Sequence, residues 1–358
     1  MILYGTGSNL RDPCFLCSIF LFLCIEYTKN GITEKTEGTE KMNQIYKPEG
    51  SRIATRENRE YLASLAGLER AMNDGAIIEG IVTLCDSRLC LHVDLHGIKG
   101  IIEPEDALYC RVGEERKDIA IITRVGKPVS VRVIGLESYG GTTVARLSRR
   151  LAQEDCIRHY LADRTPGDII PAKVTHLEPF GAFLDIGCGV SSLLSVDCIS
   201  VSRISHPRDR LQCGEELHVV IKSIDRESGR MYVTLRELLG TWEENVASFE
   251  AGQTVAGIIR SVESYGVFVE LAPNLAGLAE LRENAADELR AKIGLSTAVY
   301  IKSIVPERMK IKLVLIDSCT APPPPPHLTY YINTSTTAHI SHWLYSPPRA
   351  PKVIETVF

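Results

Sequence analysis

Residues 180–186 read Phe180-Gly181-Ala182-Phe183-Leu184-Asp185-Ile186, and the pattern returns as Tyr265-Gly266-Val267-Phe268-Val269-Glu270-Leu271. The second copy follows the first by 85 residues, and the same offset carries Gly167 to Gly252, where each unit opens. Ile221-Lys222-Ser223-Ile224 also recurs letter for letter as Ile301-Lys302-Ser303-Ile304, 80 residues on. Two matches inside one unit, with a shortened loop between them, mark an internal repeat. Such a repeat governs the architecture and takes precedence over any single motif.

Three strand-rich units follow from this reading, at 75–150, 167–238 and 252–317. Each opens with alternating, β-branched sequence such as Ile169-Ile170-Pro171-Ala172-Lys173-Val174, and each holds turn-forming glycines. Short strands at this spacing predict small barrels. Ahead of them, 42–74 is an N-terminal helical segment. Tyr61, Leu62, Leu65, Leu68 and Met72 predict one helix over 51–74, stopped by Asn73-Asp74-Gly75. Helical periodicity also marks Ser148 to Asp163 and Glu237 to Ala251, the latter with Trp242 packed between neighbouring barrels. The expected fold is therefore mainly β, with tandem five-stranded barrels joined by short helices. Residues 318–358 read as a proline-rich linker, extended over Pro322–Pro326, and a small ordered extension. Its Tyr330, Tyr331, Ile340, Trp343 and Tyr345 are too apolar for disorder and predict packing on the last barrel or on a partner.

The chain of 358 residues has a net charge of −5, which excludes a uniformly basic coat. Any nucleic-acid contact must come from local stripes of charge and from stacking. The 11 cysteines are scattered, and the one C-x-x-C, Cys14 with Cys17, sits in an apolar run. That spacing argues against a metal site and for reduced thiols in the cytoplasm. The P-loop, nucleophile-elbow and His-Glu-x-x-His patterns are absent from the sequence, so no enzyme is expected. The apolar run from Cys14 to Ile25 is too short to span a bilayer. Residues 1–41 are expected to be an upstream extension, with Met42 as the native start.

In the repeated string, strand alternation puts Leu184 and Ile186 on one face and Phe183 and Asp185 on the other. The third unit repeats this, with Val267, Val269 and Leu271 inward and Phe268 and Glu270 outward. The aliphatic set belongs to a barrel interior. An aromatic turned outward twice, at equivalent positions, points to a platform on which unpaired bases stack. Gly181 and Gly266 are expected to clear room for an approaching ring.

This pattern, with its following turn and a Val-x-Ile-Asp-x-x-x-Gly-Arg-like hairpin, resembles the S1 RNA-binding domain, a five-stranded oligonucleotide/oligosaccharide-binding barrel (OB-fold). Over about 75–317 the chain is similar to short bacterial members of the ribosomal protein S1 family. The resemblance implies RNA contact through two aromatics, a histidine in the following turn and an Asp/Arg pair on the last hairpin. In the second unit these positions hold Phe180, Phe183, Asp225 and Arg230, with Ser195 at the histidine place. In the third they hold Tyr265, Phe268 and Lys310, with Glu280 at the histidine place. Arg88 and Leu91 stand at the aromatic positions of the first unit, implying a barrel without a platform that serves docking. Lys173, Arg208, Lys222 and Lys302 are supporting basic residues, within a wider set that includes Arg203, Arg210, Arg226 and Lys312.

The expected function is binding of single-stranded RNA (mRNA) in translation at the small ribosomal subunit. No cofactor, metal, membrane or small-molecule substrate is expected. Two alternatives stand beside it: an RNA regulator acting away from the ribosome, and a protein-interaction scaffold whose barrels have lost RNA binding. Ser195, Glu280 and the net negative charge favour the scaffold; the doubled aromatic motif opposes it.

Overall fold

The structure is a computed structural model that describes residues 46–358, apart from 112, 114, 140, 226, 282–285 and 324–326. The expected upstream extension 1–41, the apolar run at 14–25 and most of the proline run lie outside the described residues. Among the described residues, no helix is long and apolar enough to cross a membrane.

The N-terminal helical segment is two helices rather than one. Helix α1 (Arg56–Leu62) starts at Thr55, whose side chain accepts the Asn58 N–H. Helix α2 (Leu65–Asp74) starts at Ser64, whose side chain accepts the Gly67 N–H. A serine hydroxyl competes for backbone partners and favours a cap over a helix interior, which breaks the expected single helix at that point. Gly75, at φ 63°, ends α2 by donating its N–H to the Ala71 and Met72 carbonyls.

Three barrels follow. The first comprises β1 (Ile77–Cys85), β2 (Leu91–Leu95), β3 (Ile98–Ile102), β4 (Pro128–Tyr139) and β5 (Thr142–Ser148), with helix α3 (Asp118–Ile122) between β3 and β4. The order is β1-β2-β3-β5-β4, closed by pairing of β4 with β1. Helix α4 (Arg149–Cys156) leads on to the second barrel: β6 (Ile169–Glu178), β7 (Gly181–Asp185), β8 (Ser191–Ser195), β9 (Glu216–Ile224) and β10 (Met231–Thr234). Helix α5 (Trp242–Val246) leads to the third: β11 (Thr254–Glu263), β12 (Gly266–Ala272), β13 (Leu275–Ala279), helix α6 (Ala286–Arg290), β14 (Ser296–Val305) and β15 (Lys310–Ala321). All three share one closed topology, with a parallel pair between the third and fifth strands.

The first strand of each barrel is bulged at the same place, between Val82 and Leu84, Val174 and His176, and Ile259 and Ser261. A bulge adds local bend and twist, which closing five strands requires. Alternate residues fill the interiors: Ile170, Ala172, Val174, Leu184, Leu194, Val219 and Val233 are buried in the second barrel. Barrel one has its own core, whereas barrels two and three share a continuous one that takes in Trp242.

The C-terminal extension is ordered and ends in a hairpin of β16 (His342–Leu344) and β17 (Glu355–Val357). Its anchorage differs from expectation. It lies mainly on the second barrel and the linker, not on the last barrel alone. The Ile169 N–H donates to the Ala338 carbonyl, the Ile340 N–H to Gly167, and the Trp242 N–H to Tyr345. Backbone groups at the start of β6 and at the linker helix need partners, and the extension supplies them. Tyr345 reaches the third barrel, donating its hydroxyl to the Asn274 carbonyl.

Candidate nucleic-acid interface

At the β6–β7 turn Phe180 is 55% exposed, and Phe183 is half-buried beside it. Their ring centroids lie 6.0 Å apart at 89°. At the β11–β12 turn Tyr265 is 64% exposed above a half-buried Phe268, with centroids 6.1 Å apart at 90°. Edge-to-face packing suits the aromatic quadrupole and fixes the half-buried ring while the outer one stays open. The same geometry is thus built twice from two different residue pairs.

The glycines between the rings serve a different purpose from the one expected. A Cβ on Gly181 would meet the Leu194 carbonyl oxygen at 2.5 Å, and one on Gly266 would meet the Ala279 carbonyl oxygen at 2.7 Å. Close approach of the neighbouring strand, rather than room for a ligand ring, demands glycine there.

Register extends each site across the sheet. His176 pairs with Phe183, Phe183 with Leu193, and Leu193 with Tyr232. The third barrel gives Ser261, Phe268, Leu278 and Lys312 at the same steps. Directly paired residues project from one face, so these rows form the outer wall beside the aromatic pairs. Ser195 pairs with Gly181 at the edge of the second site, and exposed Glu280 follows β13 at the edge of the third.

Asp225 closes the β9–β10 hairpin. Its carboxylate accepts from the Ser228 hydroxyl and the Glu227 N–H, and these bonds, the hydroxyl foremost, hold it below the usual carboxylate range. Its own N–H donates to the Arg230 carbonyl, and Arg230 is exposed on the hairpin. Lys310 is exposed opposite Val305 on the equivalent β14–β15 hairpin. Lys222 and Lys302 occupy the same bulge in the two repeats and are exposed; Lys222 Nζ lies 3.2 Å from Cys198 Sγ. Arg208 is exposed beside a cavity of about 540 Å³ between the second and third barrels. Arg226 is outside the described residues.

Two of the basic residues are committed elsewhere. Arg210 is buried and ion-paired with Glu270 of the third barrel, which also binds Arg260 at 2.7 Å. Lys173 donates to the Glu49 carbonyl at 3.2 Å, at the junction between the first and second barrels. Their positions in loop and strand read as solvated basic surface, and only the tertiary packing reveals these partners.

Asp185 lies at the Lys173 junction too. Its carboxylate accepts the N–H groups of Glu49, Gly187 and Gly189 at 2.7, 2.8 and 2.9 Å. Arg149, fully buried, makes a two-pronged contact with Glu49 at 2.6 and 3.1 Å. The repeated motif's carboxylates therefore face out of their barrels but not into solvent.

In the first barrel the positions equivalent to the platform differ from those expected. Leu91 is buried, and His92 pairs with Leu84 and Ile101 as Phe183 pairs with His176 and Leu193. The slip arises at the β1–β2 turn, where Asp86 accepts the N–H groups of Arg88 and Cys90 and resets the count. Leu91, Val93 and Leu95 alternate with His92 and Asp94, so the signal for the true register was present. Around His92 a cavity of about 470 Å³ is lined by Asp86, Glu103, Glu105, Asp106 and Glu137, with Arg88 and Arg146. The charged part of that lining is net acidic, which disfavours phosphate.

Among the described residues no group of three or more His, Cys, Asp or Glu side chains is arranged to hold a metal, and the seven described cysteines are free thiols.

Comparison with known proteins agrees with this architecture. Residues 164–236, which hold the second barrel, match the family model described as S1 RNA binding domain. The chain is 32% identical to small ribosomal subunit protein bS1 of Staphylococcus aureus over 165 residues, 45% of this chain and 41% of that protein. It is 27% identical to bS1 of Leuconostoc lactis, covering 62% of this chain and 52% of that protein. Against bS1 of Pseudomonas aeruginosa it is 28% identical, covering 70% of this chain and 45% of that protein. The chain spans about half the length of the relatives it matches. The chain is thus built of tandem OB-fold barrels, of which the one at residues 164–236 matches the S1 RNA binding domain model, and over part of its length it is similar to bacterial small ribosomal subunit protein bS1.

Proposed function

We propose that this chain binds single-stranded RNA, with mRNA at the small ribosomal subunit as its working ligand in the cytoplasm. The observation that carries this reading is the pair of matched aromatic platforms, Phe180/Phe183 and Tyr265/Phe268, each with an exposed outer ring. Every base offers a π-face, and each stack contributes about 1–3 kcal/mol. Phosphates then fall to the exposed cations on and near the hairpins: Arg230 and Lys222 in the second barrel, Lys310 and Lys302 in the third. The chemistry is binding and positioning rather than catalysis.

The departures at Ser195 and Glu280 weaken each barrel on its own. Two platforms on one chain recover affinity by raising the effective concentration of the second site once the first is filled. The ribosomal assignment draws on the named relatives, which are small-subunit proteins. The first barrel, with its acidic wall around His92, takes a docking role in this reading.

The test is a fluorescence-anisotropy titration with single-stranded RNA, paired with co-sedimentation on small subunits. Binding that falls as salt rises, together with co-sedimentation, supports the reading. RNA binding without co-sedimentation moves the chain to a regulator acting away from the ribosome.

A further inference from the structure

We propose that the second barrel carries an additional nucleobase subsite built on Tyr232. The inference rests on the RNA-binding reading above and deepens it. Tyr232 is on β10, the strand parallel to β8, and pairs with Leu193, which in turn pairs with Phe183. All three project from the outer face. Tyr232 is 37% exposed, a large ring left on the surface of a strand whose neighbours Met231 and Val233 are buried. Adjacent strands lie about 4.8 Å apart, so the two rings are separated by about 10 Å across the Leu193 side chain. That gap allows an unpaired strand to lay one base on Phe183, cross the half-buried Leu193 and lay a further base on Tyr232.

Charge is arranged to match. Arg230 stands two residues before Tyr232, in the hairpin that leads directly into β10, and is exposed. A base stacked on Tyr232 therefore brings its phosphate towards a guanidinium. The subsite is particular to this barrel. Lys312 holds the equivalent position in the third barrel and Arg146 in the first, both beside an aliphatic residue, Leu278 and Ile101. The second barrel thus reads bases where its neighbours present only charge, and it accommodates a longer footprint than the third.

The experiment uses the full chain carrying Tyr265→Ala and Phe268→Ala, so that stacking comes from the second barrel. Anisotropy titrations with an octauridylate compare Tyr232→Ala, Tyr232→Thr, Tyr232→Phe and Phe183→Ala, and a 4-thiouridine octanucleotide maps the crosslinked peptide. Threonine is included because it suits a strand if alanine impairs folding. The expected result is a loss of about 5- to 150-fold for Tyr232→Ala and Tyr232→Thr. Tyr232→Phe is expected to keep near-parental affinity, and the crosslink is expected to fall on the peptide holding Tyr232. Unchanged affinity in both truncations, with Phe183→Ala still weakened, overturns the subsite and leaves the platform standing. Equal losses for Tyr232→Phe and Tyr232→Ala also overturn it, because the hydroxyl and not the ring would then be the contact. If Phe183→Ala too is without effect, the platform reading fails and the subsite with it.

Discussion

Asp185 and Glu270 stand at the same place in successive repeats, 85 residues apart, and each is buried, at 3% and 4% exposure, against groups that precede its own barrel. Asp185 accepts the Glu49 N–H, and Glu270 pairs with Arg210 of the second barrel. The motif that turns an aromatic outward therefore also turns a carboxylate outward, two residues on, for the neighbouring module. The aromatic face and the inter-barrel joint are built from one strand.

The joint between the second and third barrels centres on one cluster of ion pairs, Arg210 and Arg260 with Glu270 and Asp209. Glu270→Gln leaves Arg210 buried without its counter-charge, with Arg260 beside it. Breaking such a pair from one side costs about 3–5 kcal/mol. Calorimetry is expected to show the third barrel melting separately and earlier in this variant, against a single coupled transition in the parent. A parental melting profile would contradict the joint.

The Asp185 joint gives a pH signature. Burial, ahead of the nearby Glu49 carboxylate, pushes Asp185 up to about 7. In the unfolded chain an aspartate titrates at about 3.9. Between those values the folded state holds the extra proton. The stabilisation is fully present below the lower value and is lost as pH rises through the upper one. Asp185→Asn cannot titrate there, so the stability advantage of the parent over this variant should shrink from about pH 4 to about pH 7 in urea melts. A constant gap would refute the assignment.

How much of this was legible in the sequence follows from the range of each interaction. The barrel count, the outward phase of Phe183 and Phe268 and the linker helices came from local period and repetition. Ser64 caps α2 and splits the expected helix, but the apolar face runs past it, and period alone predicts one helix. The first barrel's register differs from the one that spacing predicts because the length of the intervening turn changes. Alternation around His92 carried the better signal. Arg210 and Lys173 read as free cations because their partners, Glu270 and Glu49, are 60 and 124 residues away in sequence. Tyr232 was missed because its relation to Phe183 exists only through β8, across two register steps.

Glu280 gives a prediction of opposite sign to most substitutions. It is exposed at the edge of the Tyr265/Phe268 site. Exposed charge pairs contribute about 0.2–1 kcal/mol, so Glu280→Gln is expected to tighten RNA binding by up to about fivefold, most clearly at low salt. Equal or weaker affinity at low salt would place phosphate away from this edge.

The extension over 328–358 is expected to contribute to stability of the second barrel and linker, not only to the tail. Trp343 and Tyr345 are buried and pack 5.7 Å apart between centroids. Trp343→Ala should cost about 3–5 kcal/mol, measured as a lower denaturation midpoint with earlier exposure of Trp242 fluorescence. A midpoint within error of the parent would mean that the segment is not part of the shared core.

The central claim is tested most directly by one titration. The full chain with Phe180, Phe183, Tyr265 and Phe268 all changed to alanine is compared with the parent against a fluorescent single-stranded RNA at fixed salt, with circular dichroism verifying that both are folded. The account predicts a loss of at least about 100-fold while the barrels remain intact. Retention of parental affinity by the folded quadruple variant would contradict it.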